Sequence, residues 1–469
     1  LRKHNEECGV FGISGIKNGE AAGIAYNALL TLQHRGQEGA GVAVVDGNSI
    51  YCYKDKGLVS EVFNGSVLSM IPKSNLAIGH VRYSTTGSNT KENAQPIVTE
   101  YFMGRLAVAH NGNIINAKPL REKLEGYGIL FTTSNDSEVI SALIAYERLR
   151  TETIEQAVLK AVTQIEGAYS LVIISGDKLI AVRDPAGFRP LCIGKLGGIT
   201  AFASESCALD AASIPFIRDI KPGEIVSIDS NGNETNVFFG EDAKKGLCIF
   251  EYVYFARTDS VIDEMSVYKA RCNAGEILAE ECPVEADIVC GVPDSGLEAA
   301  QGYASASGIP YGSAFVKNRY IGRSFIFPTQ EQRETAVKIK LNPLRAVVEG
   351  KRVILVDDSI VRGTTSALII EALKNAGAKE VHLRISSPPF IHTCHFGTDI
   401  DGEENLVANN YSLEEITKQI GADSLGYISV EGLKKACNDA KISFCTGCFT
   451  GDYPVKLRTE HVKNELEKK

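Results

Sequence analysis

The sequence predicts a two-domain protein that joins an α+β half, residues 8–238, to a doubly wound α/β half, residues 248–410, with a helical segment, 411–469, behind it. Three observations predict this. The 469 residues exceed what one ordinary hydrophobic core serves. The first half alternates short apolar strands with turn clusters, whereas the second changes to long strand-turn-helix units.

The elements follow in chain order. After a polar lead, Leu1 to Glu7, the stretch "CGVFGIS" reads as a buried strand whose glycines allow close approach. "GVAVVDGNSIYCY", "RLAVAHNGNII", "AYSLVIISGDKLIAVRDP" and "EIVSIDSNGN" read as strands joined by turns. "EAAGIAYNALLTLQHRG" and "NDSEVISALIAYERL" carry apolar residues at helical spacing. Two sheet layers flanked by helices would bury both patterns. In the second half, "RVILV" suits a strand buried on both faces, followed by a polar turn, a helix ending at Gly377 and another strand. The charged tail ending in "KNELEKK" reads as an exposed, frayed end.

Composition narrows the function. No apolar run is long enough to span a bilayer, so no membrane role is expected. The 49 basic against 58 acidic residues, net charge -9, offer nucleic acid no global attraction. Twelve cysteines without a secretory leader point to a reducing cytoplasm, where thiols serve as core residues, nucleophiles or metal ligands.

The sharpest motif is "VILVDDSIVRGTT". Asp357 and Asp358 leave a strand where ligands bind in open α/β sheets. Ser359, Arg362, Gly363, Thr364 and Thr365 follow as a loop entering a helix, and backbone amides, hydroxyls and the helix dipole there make a nest for a phosphate. The carboxylates suit ribose hydroxyls and indirect Mg2+ binding. A helix cap and an ordinary turn would explain single residues of this motif but not the set together. The motif resembles the signature of the type I phosphoribosyltransferases, which implies 5-phosphoribosyl 1-pyrophosphate and Mg2+ as ligands. "CGVPDSG" then resembles that family's pyrophosphate loop, with Ser295 joining Asp357 and Asp358 around the Mg2+. Between the two, "VKNRYIGRSFIFPTQEQRETAVKIKLNP" reads as a solvated charged loop, and by the resemblance as a cover in which Arg333 and Lys340 touch pyrophosphate oxygens.

The first half supplies a second constellation. Arg82, in "HVRYSTTGS", suits a carboxylate and Asp136, in "SNDSEVI", an ammonium, which together describe the backbone end of an amino acid. Asn111 and Gly112, expected in a polar turn, suit an oxyanion hole. Removal of Leu1 to Glu7 as a propeptide would leave Cys8 with thiol and α-amine on one carbon, and an amine at about 7.7 to 8.0 is a built-in base for a thiol near 8.5. With "CGVFGI" and "LQHRGQEGAG", these residues resemble the class II glutamine amidotransferase domain, an N-terminal-nucleophile hydrolase with an αββα sandwich.

The pairing of both halves resembles the glutamine phosphoribosylpyrophosphate amidotransferase family. It implies that Cys8 releases ammonia from glutamine and that this ammonia displaces pyrophosphate to give 5-phosphoribosylamine, the first committed step of purine synthesis. It also implies inhibition by purine nucleotides and a homotetramer. "FCTGCF" holds Cys445 and Cys448, a pair that spacing alone leaves open between redox, zinc and other roles. Cys248 and Cys394 complete four thiolates, which suit zinc or a [4Fe-4S] cluster. The resemblance implies the cluster and the propeptide-bearing type. Cys52, Cys192, Cys207, Cys272, Cys282, Cys290 and Cys437 are expected to be plain buried residues. Two rival readings are another class II amidotransferase and a non-catalytic regulator that senses phosphoribosyl pyrophosphate or nucleotides.

Overall fold

A computed structural model describes residues 7–83, 90–318, 341–398, 400 and 402–457. Its first half contains two antiparallel sheets. One has seven strands, in the order Phe216–Asp219, Cys192–Leu196, Ile199–Ala203, Gly9–Ser14, Leu76–Arg82, Gly39–Asp46, Ser49–Lys56. The other has six, in the order Glu234–Phe238, Glu224–Ile228, Lys178–Arg183, Gly167–Ser175, Gly104–Ile114, Ile97–Tyr101. Val10, Ile78 and Phe202 of the first sheet share a buried core with Ala109, Val172 and Val226 of the second, so the sheets lie face to face. Glycine permits that contact: a Cβ on Gly12 would stand 2.4 Å from the Val172 side chain.

Helices cover the outer faces. Ala21–Thr31 packs its Ala25, Ala28 and Leu29 on the seven-stranded sheet. Asp136–Arg148 and Ile154–Val162 pack on the six-stranded one. This is the expected αββα sandwich.

In the second half, the strands Ile288–Gly291, Arg352–Asp357, Glu380–Ile385 and Ser424–Tyr427 form a parallel sheet in that order. The helices Val267–Glu281 and Leu297–Ser307 share a core with Ile354 and Val356, while Thr364–Asn375 and Leu413–Ile420 share another with Val353 and Leu355. Both faces are therefore covered, as near-continuous apolar strands require. The stretch beyond residue 411 is less purely helical than its charge pattern predicts, because Ser424–Tyr427 completes the parallel sheet as its fourth strand. It returns to the seam between the halves, where Phe444–Cys445 pairs in parallel with Leu247–Cys248.

Candidate active sites

Cys8 immediately precedes the central strand of the seven-stranded sheet, Gly9–Ser14, and is buried, with its Sγ donating to the Tyr83 carbonyl at 3.4 Å. Burial pushes its thiol up to about 11, with Arg82 pulling down and Asp136 and Glu7 pushing further up. Arg82 and Asp136 therefore stand within electrostatic reach of the sulfur, the two groups assigned to the ends of an amino acid. Arg82 closes its strand, beside the one that starts at Gly9, and Asp136 sits in the first turn of its helix, where its Oδ2 accepts from the Ile114 amide at 3.2 Å.

Asn111 and Gly112 lie inside the strand Gly104–Ile114 rather than in the turn that Asn-Gly predicts. The strand absorbs the glycine because its φ is +143° and a Cβ there would stand 2.1 Å from the Ala168 carbonyl oxygen. The Asn111 Nδ2 is buried and has no acceptor among the described protein groups. A donor left unpaired in the interior costs about 1–3 kcal/mol, a cost that an incoming oxyanion would recover.

Around Cys8 lies a charged network that the motifs did not single out. Arg35 Nε donates to the Cys8 carbonyl at 3.0 Å, and its other nitrogens reach Glu205 at 2.6 Å and Glu251 at 2.8 and 3.0 Å. Burial works against the Glu205 carboxylate, but His34 and Arg35 hold it well below the usual range. Glu7 is buried as well; its Oε1 accepts from Thr398 Oγ1 at 2.8 Å, and its Oε2 meets the Arg189 guanidinium. Arg35 sits within "LQHRGQEGAG", a stretch that carries the resemblance without marking this residue, and nothing in the local sequence marks Glu251 or Arg189.

At the second site, the buried Asp357 closes its strand at the carboxyl end and the buried Asp358 follows it. Ser295 Oγ donates to Asp358 Oδ1 at 2.6 Å, Ser359 Oγ bonds Asp358 Oδ2, and the Asp358 amide donates to Asp357 Oδ1 at 3.0 Å. Ser295, Asp357 and Asp358 thus come together as expected. Arg362 precedes Gly363, whose φ of +79° turns the chain into the helix Thr364–Asn375, which places Thr364 and Thr365 in its first turn. Arg333 and Lys340 lie outside the described residues.

One helical turn, Glu251–Phe255, contacts the first site and lies within electrostatic reach of the second. Glu251 binds Arg35 behind Cys8, and three residues on, the Tyr254 hydroxyl is pushed well up by burial and by the charges of Asp358 and Asp357.

Cys248, Cys394, Cys445 and Cys448 converge at the seam. Cys248 and Cys445 stand opposite each other in the parallel pair, and the Cys448 carbonyl accepts from the amides of Ile391 and His392, both at 3.1 Å. Burial pushes the Cys248 and Cys448 thiols far up, and each is pushed further by the other cysteines of the group. The Arg189 guanidinium lies within electrostatic reach of Cys248, Cys394 and Cys445 and favours thiolate at Cys248. Among the described residues, no three or more His, Cys, Asp or Glu side chains stand close enough together to hold a metal ion. All twelve cysteines are free; Cys192, Cys207, Cys290 and Cys437 are buried as expected, but Cys52, Cys272 and Cys282 are only partly so.

Comparison with known proteins agrees with this geometry. The family model described as glutamine amidotransferase domain matches residues 80–211, and that described as phosphoribosyl transferase domain matches residues 264–387. Amidophosphoribosyltransferase of Methanocaldococcus jannaschii is 48% identical, covering 97% of this chain and 99% of its own. That of Bacillus subtilis is 46% identical, covering 98% of each. A solved structure of the Bacillus subtilis glutamine phosphoribosylpyrophosphate amidotransferase, complexed with ADP and GMP, superposes with a TM-score of 0.89 at 45% identity, over 97% of this chain and 99% of that one. With both halves matched in order and nearly the full length shared, the chain belongs to the amidophosphoribosyltransferase family.

Proposed function

We propose a division of labour for the reaction this family membership carries, glutamine-dependent amidation of 5-phosphoribosyl 1-pyrophosphate in purine biosynthesis. Arg82 and Asp136 hold the carboxylate and ammonium of glutamine. Cys8, freed from Glu7, loses its thiol proton to its own α-amine and attacks the side-chain carboxamide. The Asn111 side chain and the Gly112 amide receive the oxyanion. The carbon-nitrogen bond breaks, ammonia leaves with the proton held by the amine, and water hydrolyses the thioester to glutamate. At the second site, Ser359 to Thr365 cradle the 5-phosphate and Asp357 and Asp358 hold the ribose hydroxyls. The nitrogen lone pair forms the bond to C1 as pyrophosphate leaves.

Two observations support this reading: the buried Asn111 Nδ2 has no acceptor among the described protein groups, and the buried Cys8 thiol feels both Arg82 and Asp136. Mg2+, when bound near Ser295, Asp357 and Asp358, would neutralise the pyrophosphate leaving group. The four cysteines would hold a [4Fe-4S] cluster that fastens the C-terminal segment to the seam, and their shared neighbourhood supports it. Leu1 to Glu7 would be a propeptide, with the amide-blocked, high-lying Cys8 thiol in support. Purine nucleotide inhibition follows the ADP and GMP of the Bacillus subtilis structure. A cytoplasmic location agrees with twelve free thiols. No described helix is long and apolar enough to cross a membrane. A homotetramer is carried over from the resemblance.

Cys8→Ala tests the separation of sites. Glutamine-dependent synthesis should disappear while synthesis from added ammonia persists. Loss of both in a folded protein would contradict two separate centres.

A further inference from the structure

We propose that the stretch Cys394–Thr398 of the second half is a positioning strap for the oxyanion hole of the first, with Asn113 as the residue that ties them together. Asn113 follows Gly112 on the strand Gly104–Ile114, and its Nδ2 donates to the His395 carbonyl at 2.9 Å across 282 residues of sequence. Two residues on, Gly397 lies against Gly112 itself. A Cβ on Gly397 would stand 3.3 Å from the Gly112 carbonyl carbon, 3.5 Å from its Cα and 2.9 Å from Arg189 Nη2, and its φ of +113° is one that side chains rarely adopt. Gly112 is thus held between the Ala168 carbonyl and the strap.

The strap is itself pinned. Arg189 Nη2 donates to the Phe396 carbonyl at 2.6 Å and the Phe396 ring stacks on Phe188 with centroids 4.3 Å apart; the bond from Thr398 Oγ1 to Glu7 adds a tie only while Glu7 is attached. A donor works in an oxyanion hole only when it points at the place where charge develops, and a displacement of about 1 Å costs on the order of 100-fold in rate. The peptide of a glycine has no side chain to fix it. Here its orientation is fixed from outside, by the second half of the molecule.

The inference rests on the assignment of Asn111 and Gly112 to the oxyanion hole, so Asn111→Ala is measured beside the test variants. In the full chain, Asn113→Ala should lower kcat for glutamine hydrolysis roughly 10-fold to 100-fold. The KM for glutamine should stay near that of the parent, because Arg82 and Asp136 are untouched, and ammonia-dependent synthesis should be unchanged. Asn113→Asp, of the same size but unable to donate, should behave likewise, and Asn113→Gln should recover part of the rate. An unchanged kcat in the Ala and Asp variants, or a parallel fall of glutamine and ammonia activities, overturns the strap. If Asn111→Ala also leaves kcat intact, the oxyanion assignment falls with it; if only Asn111→Ala lowers kcat, the strap alone is refuted.

Discussion

Retention of Glu7 should keep Cys8 unreactive, and the size of the effect follows from its surroundings. With that peptide bond intact, burial pushes the thiol up to about 11. At pH 7 a thiol at about 11 is ionised in about one molecule in ten thousand, whereas one near 8.5 is ionised in about 3%, a ratio of roughly 300. Removal of Glu7 withdraws the weakest of the influences named above and, more importantly, supplies an amine with a pKa of about 7.7 to 8.0 on the same carbon. The sign is plain: a raised thiol stays protonated to higher pH, so alkylation of the Glu7-bearing form should climb about tenfold per pH unit until about pH 11. Iodoacetamide labelling across a pH series, followed by digestion, separates peptides beginning at Cys8 from those still carrying Glu7. The reasoning is refuted if both peptides show one pH profile, or if the Glu7-bearing one levels off near the ordinary thiol value.

Two further outcomes are expected. Asp357→Asn combined with Asp358→Asn should abolish synthesis from both glutamine and ammonia, since both routes end at the ribose; unchanged turnover with either nitrogen source removes these carboxylates from the site. The intact protein should carry on the order of four iron atoms per chain with a visible chromophore, and Cys445→Ser should reduce both together; a colourless protein with zinc at the four thiols would replace the cluster with a tetrahedral ion.

What was legible in the sequence was local. The phosphate-binding turn is read within thirteen residues because acidic pair, glycine and threonines act through one backbone stretch. The sheet of the first half is read from alternation, since period two is a local property. Asn111 and Gly112 were misplaced into a turn because Asn-Gly is a turn signal, and what overrides it is the pairing of Gly112 with Tyr169 within the ladder, which runs on to Ile114. Arg35 and Glu251 are 216 residues apart, and Thr398 and Glu7 are 391 apart, so neither contact leaves a periodic trace. The four cysteines come from three distant segments and form a set only through the resemblance or the folded seam. Cys52, on the sheet-edge strand Ser49–Lys56, is half-buried because that strand has only one neighbour.

The Arg35 network bears on how such modules are exchanged. Arg35 and Glu205 belong to the ammonia-producing half, whereas Glu251 comes from the acceptor half. A glutaminase grafted in front of an unrelated synthase would keep the Arg35–Glu205 pair but bring the other edge of the guanidinium to a surface without the carboxylate that Glu251 supplies. A fusion that supplies an acid at that position would restore the full network, which makes the residue facing Arg35 a compatibility key between donor and acceptor modules.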